Sequence, residues 1–191
     1  MNNVRLLDIT PDFYAFSYSV NQKTGIIISA HGWMNQIKRN NRFLDASDLA
    51  LLINSWGGDY SRITVASCFS VYLHPSKLKD RLASEGAKIY QDTLACKLST
   101  YIPGVRVVGF IGEVTSSVDN PQAWAIYNSI DDEFGRGLLE MTLSATFTIL
   151  FNAIVTANIK NPCRYVEFLN GKLHQQYAPT ININNHIFTQ L

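Results

Sequence analysis

Two apolar runs too short for helices, IIISA (Ile26–Ala30) and ITVAS (Ile63–Ser67), constrain this chain more than any other feature. Each reads as a strand buried on both faces, the kind found inside a sheet that helices cover on both sides. Between them lies DLALLINSW, an amphipathic stretch that Ser47 or Asp48 can cap and that GGDYS ends. Strand, helix, strand is a crossover unit, and VRVVGFIG (Val105–Gly112) supplies a third buried strand. The expectation is an α/β fold with a mostly parallel central sheet flanked by helices.

The rest of the chain is assigned around that unit. FYAFSYS, the turn-forming NQKTG and IIISA predict a hairpin, whereas Gly32 to Ala46 reads as a polar loop. Leu78, Leu82, Ile89, Leu94 and Leu98 fall at helical spacings that Gly86 splits into two helices. TSSVDNP reads as a loop, QAWAIYN as a strand and Gly137 to Ile159 as one long helix. RYVEFL and KLHQQY flank Asn-Gly, the strongest two-residue hairpin signal, which predicts a C-terminal β-hairpin. No repeat or linker divides the 191 residues, so 1–191 is expected to form a single domain.

Composition narrows the function. Apolar residues at 47% and charged residues at 16% describe a folded chain. A net charge of +1, with no basic block beyond Lys38, Arg39 and Arg42, argues against nucleic acid as a partner. Cys68, Cys96 and Cys163 lack disulfide or zinc spacing, and no metal ligand set is visible. MNNVRLLDITPDF has no Sec-type signal core. The uncharged run Met141–Ala157 approaches the length of a membrane span, but its Thr, Ser and Asn content favours a core helix over insertion.

Chemistry concentrates where the first two strands end. IIISA runs into His31-Gly32-Trp33, and ITVAS runs into Cys68. In open α/β sheets ligands bind outside the carboxyl ends of the strands, where a crossover would bring both residues to one edge. An imidazole beside a thiol raises the thiolate fraction and makes a nucleophile. Cys96, Cys163, His74, His174 and His186 show no comparable pairing and read as structural or surface residues, the histidines in or near loops or a hairpin. Asp45, Asp48 and Asp59 read as capping or loop acids. Glu113 and Thr115 to Ser117 follow the third strand as a solvated loop, with substrate-backbone binding as the alternative.

From Gly25 to Phe69 the pattern of an apolar strand into His-Gly, a short helix, and an apolar strand into a small residue and Cys resembles the caspase-like cysteine peptidases of clan CD. Within the clan it is most similar to the self-processing peptidase domains of large bacterial toxins and to related secreted effectors. Ala-Ser-Cys stands where caspases have Gln-Ala-Cys. The resemblance implies a caspase-like fold and a cysteine-type endopeptidase acting on a protein or peptide substrate without a cofactor. Cys68 would be the nucleophile and His31 its acid and base. Gly32 would leave room for substrate and share the oxyanion with the Cys68 N–H. Trp33 either walls a substrate pocket or anchors the loop. The implied setting is the cytoplasm of the producing cell, or export without a cleaved signal peptide into a target cell as a toxin or virulence effector. Two alternatives stand beside this: a non-catalytic caspase-like binding domain, and a membrane-active effector using the apolar segment near 141–157.

Overall fold

The computed structural model describes residues 1–72, 86–152, 165–177 and 182–191. Its centre is a seven-stranded sheet in the order β1 (Asn2–Thr10), β2 (Phe13–Val20), β3 (Lys23–Ala30), β7 (Arg62–Ala66), β8 (Arg106–Phe110), β11 (Tyr165–Leu169) and β12 (Lys172–Tyr177). Between β3 and α1 (Ala46–Trp56) the chain forms a small second sheet of β4 (Gly32–Trp33), β5 (Gln36–Arg39) and β6 (Arg42–Leu44). A third pairs β9 (Glu113–Ser116) with β10 (Ile149–Asn152). A 3-10 turn at Gly86–Tyr90 precedes α2 (Leu94–Tyr101); α3 (Asn120–Tyr127), α4 (Asp132–Thr146) and α5 (Ile183–Thr189) follow.

Alternation along the central strands splits the core into two layers. Ile26, Ile28, Ile63, Val65 and Val107 face α1 and α2, where Leu49, Ile53, Leu94 and Leu98 are buried against them. Ile27, Val108 and Phe110 face the other way, onto Leu139 and Leu143 of α4 and Ile183 and Ile187 of α5. Each such fully buried aliphatic side chain contributes about 1.5–3 kcal/mol relative to exposure.

The sheet is mixed rather than mostly parallel. β3 with β7 and β7 with β8 are parallel, while β1 with β2, β2 with β3, β8 with β11 and β11 with β12 are antiparallel. For β1–β2, β2–β3 and β11–β12 the reason is turn length: two residues can join only antiparallel neighbours. Asn21 and Gln22 make such a turn with φ of 49° and 65°, and Asn170 and Gly171 make another with 52° and 73°, the positive φ pair of a type I′ hairpin. Parallel pairing is confined to the middle, where α1 and α2 provide the crossings.

Four local expectations are corrected. Asp45, not Ser47 or Asp48, caps α1, its carboxylate accepting the Ser47 and Asp48 N–H groups at 2.8 and 3.0 Å. QAWAIYN lies in helix α3, because Asp119 caps it through the Gln122 N–H at 2.8 Å and Pro121 suits a first helical turn. The segment taken as one helix from Gly137 to Ile159 leaves the helix after Thr146: Phe147 turns extended, and buried Ile149 with exposed Leu150 alternates as a strand on β9. That strand also gives the Glu113–Ser116 stretch a partner it was not expected to have; Ala153 to Ile159 lie outside the described residues. Among the described residues no helix is long and apolar enough to cross a membrane.

His186, expected near the surface, is buried in α5. Its ring lies 4.3 Å from Tyr177 and 5.7 Å from Tyr165, and its Nδ1 has no partner among the described residues. Burial first, then the Arg62 charge, lowers its pKa, with Glu167 opposing. The folded state therefore resists protonating it. Stability contributed by neutral His186 is complete above the unfolded pKa of about 6.5 and is lost as pH falls through that value toward the lower folded one. Urea midpoints measured at neutral pH and at about pH 5.5 should fall for the wild type, and fall less for His186→Gln.

Candidate active site

The parallel register of β3 and β7 runs from Gly25 opposite Arg62 to Ser29 opposite Ala66. Two residues further along, His31 and Cys68 leave the same carboxyl edge of neighbouring strands, which lie about 4.8 Å apart in any sheet. The contact between the two ends is tight. A Cβ added to Gly32 would lie 2.2 Å from both the Cys68 carbonyl oxygen and the Ser67 Oγ. Only glycine lets the segment after His31 sit on Ser67–Cys68. Gly32→Ala should therefore push these segments apart, at a cost of about 1–3 kcal/mol by the usual scale of overpacking, measurable in a denaturant titration.

Past its strand the Cys68 chain turns sharply. Phe69 has a φ of 55°, a left-handed conformation that is costly for a bulky side chain. Its N–H is held by the Gly112 carbonyl at 3.1 Å, and its ring packs edge-on against Tyr72. The Ser67 N–H is likewise taken by the Val65 carbonyl at 2.9 Å, so the backbone on both sides of Cys68 is fixed.

The Cys68 side chain is partly buried and engages β9. Its S–H donates to the Val114 carbonyl and its Sγ accepts the Val114 N–H, each at 3.4 Å. Among the described residues no hydrogen bond joins it to the exposed His31 imidazole. The two groups share an edge, but productive contact requires the thiol to turn away from Val114. Catalytic hydrogen bonds in ligand-free sites are often incomplete in this way.

The Gly32 end is ordered by the small sheet. Gly32 lies opposite Ile37, and the Lys38 N–H donates to the His31 carbonyl at 2.8 Å. In that antiparallel pattern the Gly32 N–H points away from β5. Asn35, in the β4–β5 turn, ties this sheet to the cysteine loop. Its Oδ1 accepts the Tyr72 N–H at 3.0 Å and the Leu94 N–H at 3.2 Å. Asp12 anchors the far turn by accepting the N–H groups of Asn40 at 2.6 Å and Asn41 at 2.9 Å. Burial alone would raise the pKa of this carboxylate, but these bonds, Thr10 and Lys38 together hold it below its ordinary value.

Trp33, the remaining expected site residue, is 60% exposed next to Gly32. Cys96 is buried, donates to the Gly171 carbonyl at 3.3 Å, and has its thiol pushed up to about 11, chiefly by burial. Such a thiol is a poor nucleophile at neutral pH. His174 lies 3.7 Å from the Glu167 carboxylate, at the surface and away from the His31 edge. His74 and Cys163 lie outside the described residues. Asn35, Phe69 and Val114 were missed by sequence reasoning. Only the turn-forming character of Asn35 left a local signal. Comparison of the chain with protein-family models, with curated proteins and with solved structures finds no match.

Proposed function

We propose that this chain is a cysteine peptidase of caspase-like design that cleaves a peptide bond in a protein substrate. One observation supports the reading: Gly32 is seated on Ser67–Cys68, and His31 and Cys68 each follow by two residues the last paired positions of parallel β3 and β7. In the proposed cycle His31 takes the thiol proton and the Cys68 sulfur attacks the scissile carbonyl carbon. The Gly32 N–H, directed away from β5, and the Cys68 N–H receive the oxyanion. Collapse breaks the C–N bond as the imidazolium gives its proton to the departing amine, leaving a thioester. Water, deprotonated by His31, then releases the acid and restores the thiol.

The Cys68–Val114 contact favours a second reading, a binding domain in which Cys68 is a structural thiol. Cleavage separates the two. Incubating the protein with denatured proteins and sequencing new termini by mass spectrometry should reveal cuts that vanish with Cys68→Ala. An absence of cuts by the wild type, or cuts that persist in the folded variant, would set the peptidase reading aside.

A further inference from the structure

Two chain excursions carry the site, and each holds a strained backbone. Met34 and Asn35 join β4 to β5 through a two-residue turn with φ of 45° and 67°, the positive pair of a type I′ hairpin. Asn adopts that conformation readily, whereas for Met it is costly. On the other side Phe69, directly after Cys68, has its φ of 55°. Such conformers persist where the surroundings over-determine them, and they gather at functional sites. One side chain, Asn35, links the two.

The Asn35 amide serves the Tyr72 backbone as a strand neighbour would. Its Oδ1 accepts the Tyr72 N–H at 3.0 Å and its Nδ2 donates to the Tyr72 carbonyl at 3.5 Å. The same Oδ1 accepts the Leu94 N–H at 3.2 Å, in the first turn of α2. Tyr72 in turn packs edge-on against Phe69, with 6.0 Å between ring centres. The Ser67, Phe69, Ser70 and Val71 N–H groups end on Val65, Gly112, Ser67 and Phe110, all on the β7 and β8 side. The Tyr72 N–H instead crosses to the hairpin that follows His31. That hairpin is thus fastened to the cysteine turn at two points, the Gly32 seat on Ser67–Cys68 and the Asn35 amide.

We infer that Asn35 is a positioning residue: its amide holds the His31–Gly32 segment against the Cys68–Tyr72 turn and so sets how well the imidazole can act on the thiol. The catalytic consequence rests on the peptidase reading; the effect on Cys68 reactivity is measured without turnover. Among the described residues no hydrogen bond joins the exposed His31 to Cys68, so the spacing of the pair is set by the segments that carry it. A misplacement of about 1 Å between reacting groups costs up to about a hundred-fold in rate. Asn35 acts through backbone position alone, since its amide bonds Tyr72 and Leu94 and neither member of the pair.

Two variants of the full chain separate the amide from the turn. Asn35→Gly keeps the left-handed turn and removes the amide. Asn35→Asp keeps the turn and the acceptor, and its charge suits the N-terminus of α2. Alkylation of Cys68 by iodoacetamide near neutral pH is followed by mass spectrometry, with Cys96 in the same sample as the buried reference. Asn35→Gly should slow Cys68 about ten-fold and Asn35→Asp less than about two-fold, and His31→Ala added to Asn35→Gly should bring little further loss, as for coupled residues. Asn40→Gly, the same change in the β5–β6 turn where φ is 49°, should leave the rate unchanged. A Cys68 rate indifferent to Asn35→Gly, or losses that multiply in the double variant, overturns the inference. So does Cys96 labelling that quickens in Asn35→Gly, which shows a general loosening of the fold. Cleavage separates the two claims. Cutting by a wild type whose Cys68 rate ignores Asn35→Gly removes the positioning role alone; the expected alkylation pattern without cutting removes the peptidase reading alone.

Discussion

Replacing Cys68 by alanine should lower peptide cleavage at least about a thousand-fold, because the covalent route disappears with the sulfur. His31→Ala should produce a loss of similar order, and the double variant little more than either, since nucleophile and base act as one unit. His31 is exposed and Cys68 lies at a strand end, so neither truncation opens a hole in the core. Circular dichroism and melting temperature should remain close to wild type. Losses that multiply in the double variant would show two independent structural defects instead of one catalytic pair.

The largest effect on stability is expected at Glu167. This carboxylate and the Arg62 guanidinium are each 1% exposed and meet at 2.7 Å between β11 and β7. Arg106 at 3.8 Å and His174 at 3.7 Å lie on the same carboxylate. Arg62 also donates to the His186 carbonyl at 3.2 Å, joining the pair to α5. Glu167→Ala leaves a guanidinium buried without its counter-charge, which costs about 3–5 kcal/mol. Urea unfolding should show that loss, and the combined Arg62→Met and Glu167→Leu variant should recover much of it, because the desolvation of both charges is removed together. A Glu167→Ala protein as stable as wild type would mean that Arg62 finds another partner. The pair lies on the face of the sheet away from α1, so cleavage per folded molecule should change little.

How much of this was legible differs between elements for physical reasons. β3, β7 and β8 announce themselves through continuous apolar runs, and the Asn170-Gly171 turn through its backbone demands. β1 was not anticipated because its register slips between Asn2 and Arg5 and again between Leu6 and Asp8, which breaks the two-residue period. The β4–β6 sheet hides in polar sequence because only Ile37 is fully buried there; its fold depends on Asn35 and Asp12, whose partners are distant in sequence. The break at Thr146 looked helical because an apolar run does not by itself distinguish a helix from a helix followed by a strand. At the site, His31, Gly32 and Cys68 could be named from residue type and strand ends. That Val114 holds the thiol could not, since β9 meets β7 only through the tertiary fold.

The central claim is that His31 activates Cys68, and the rate of Cys68 alkylation as a function of pH tests it most directly. Folded wild-type protein is treated with iodoacetamide between about pH 5 and 9, and each cysteine is followed by mass spectrometry. Cys96, buried and with its thiol raised to about 11, serves as the internal slow reference. Cys68 is expected to react faster than Cys96 throughout this range, and His31→Ala is expected to remove most of the rate that the neighbouring imidazole confers on Cys68. A Cys68 rate that His31→Ala leaves unchanged across the range would contradict the claim.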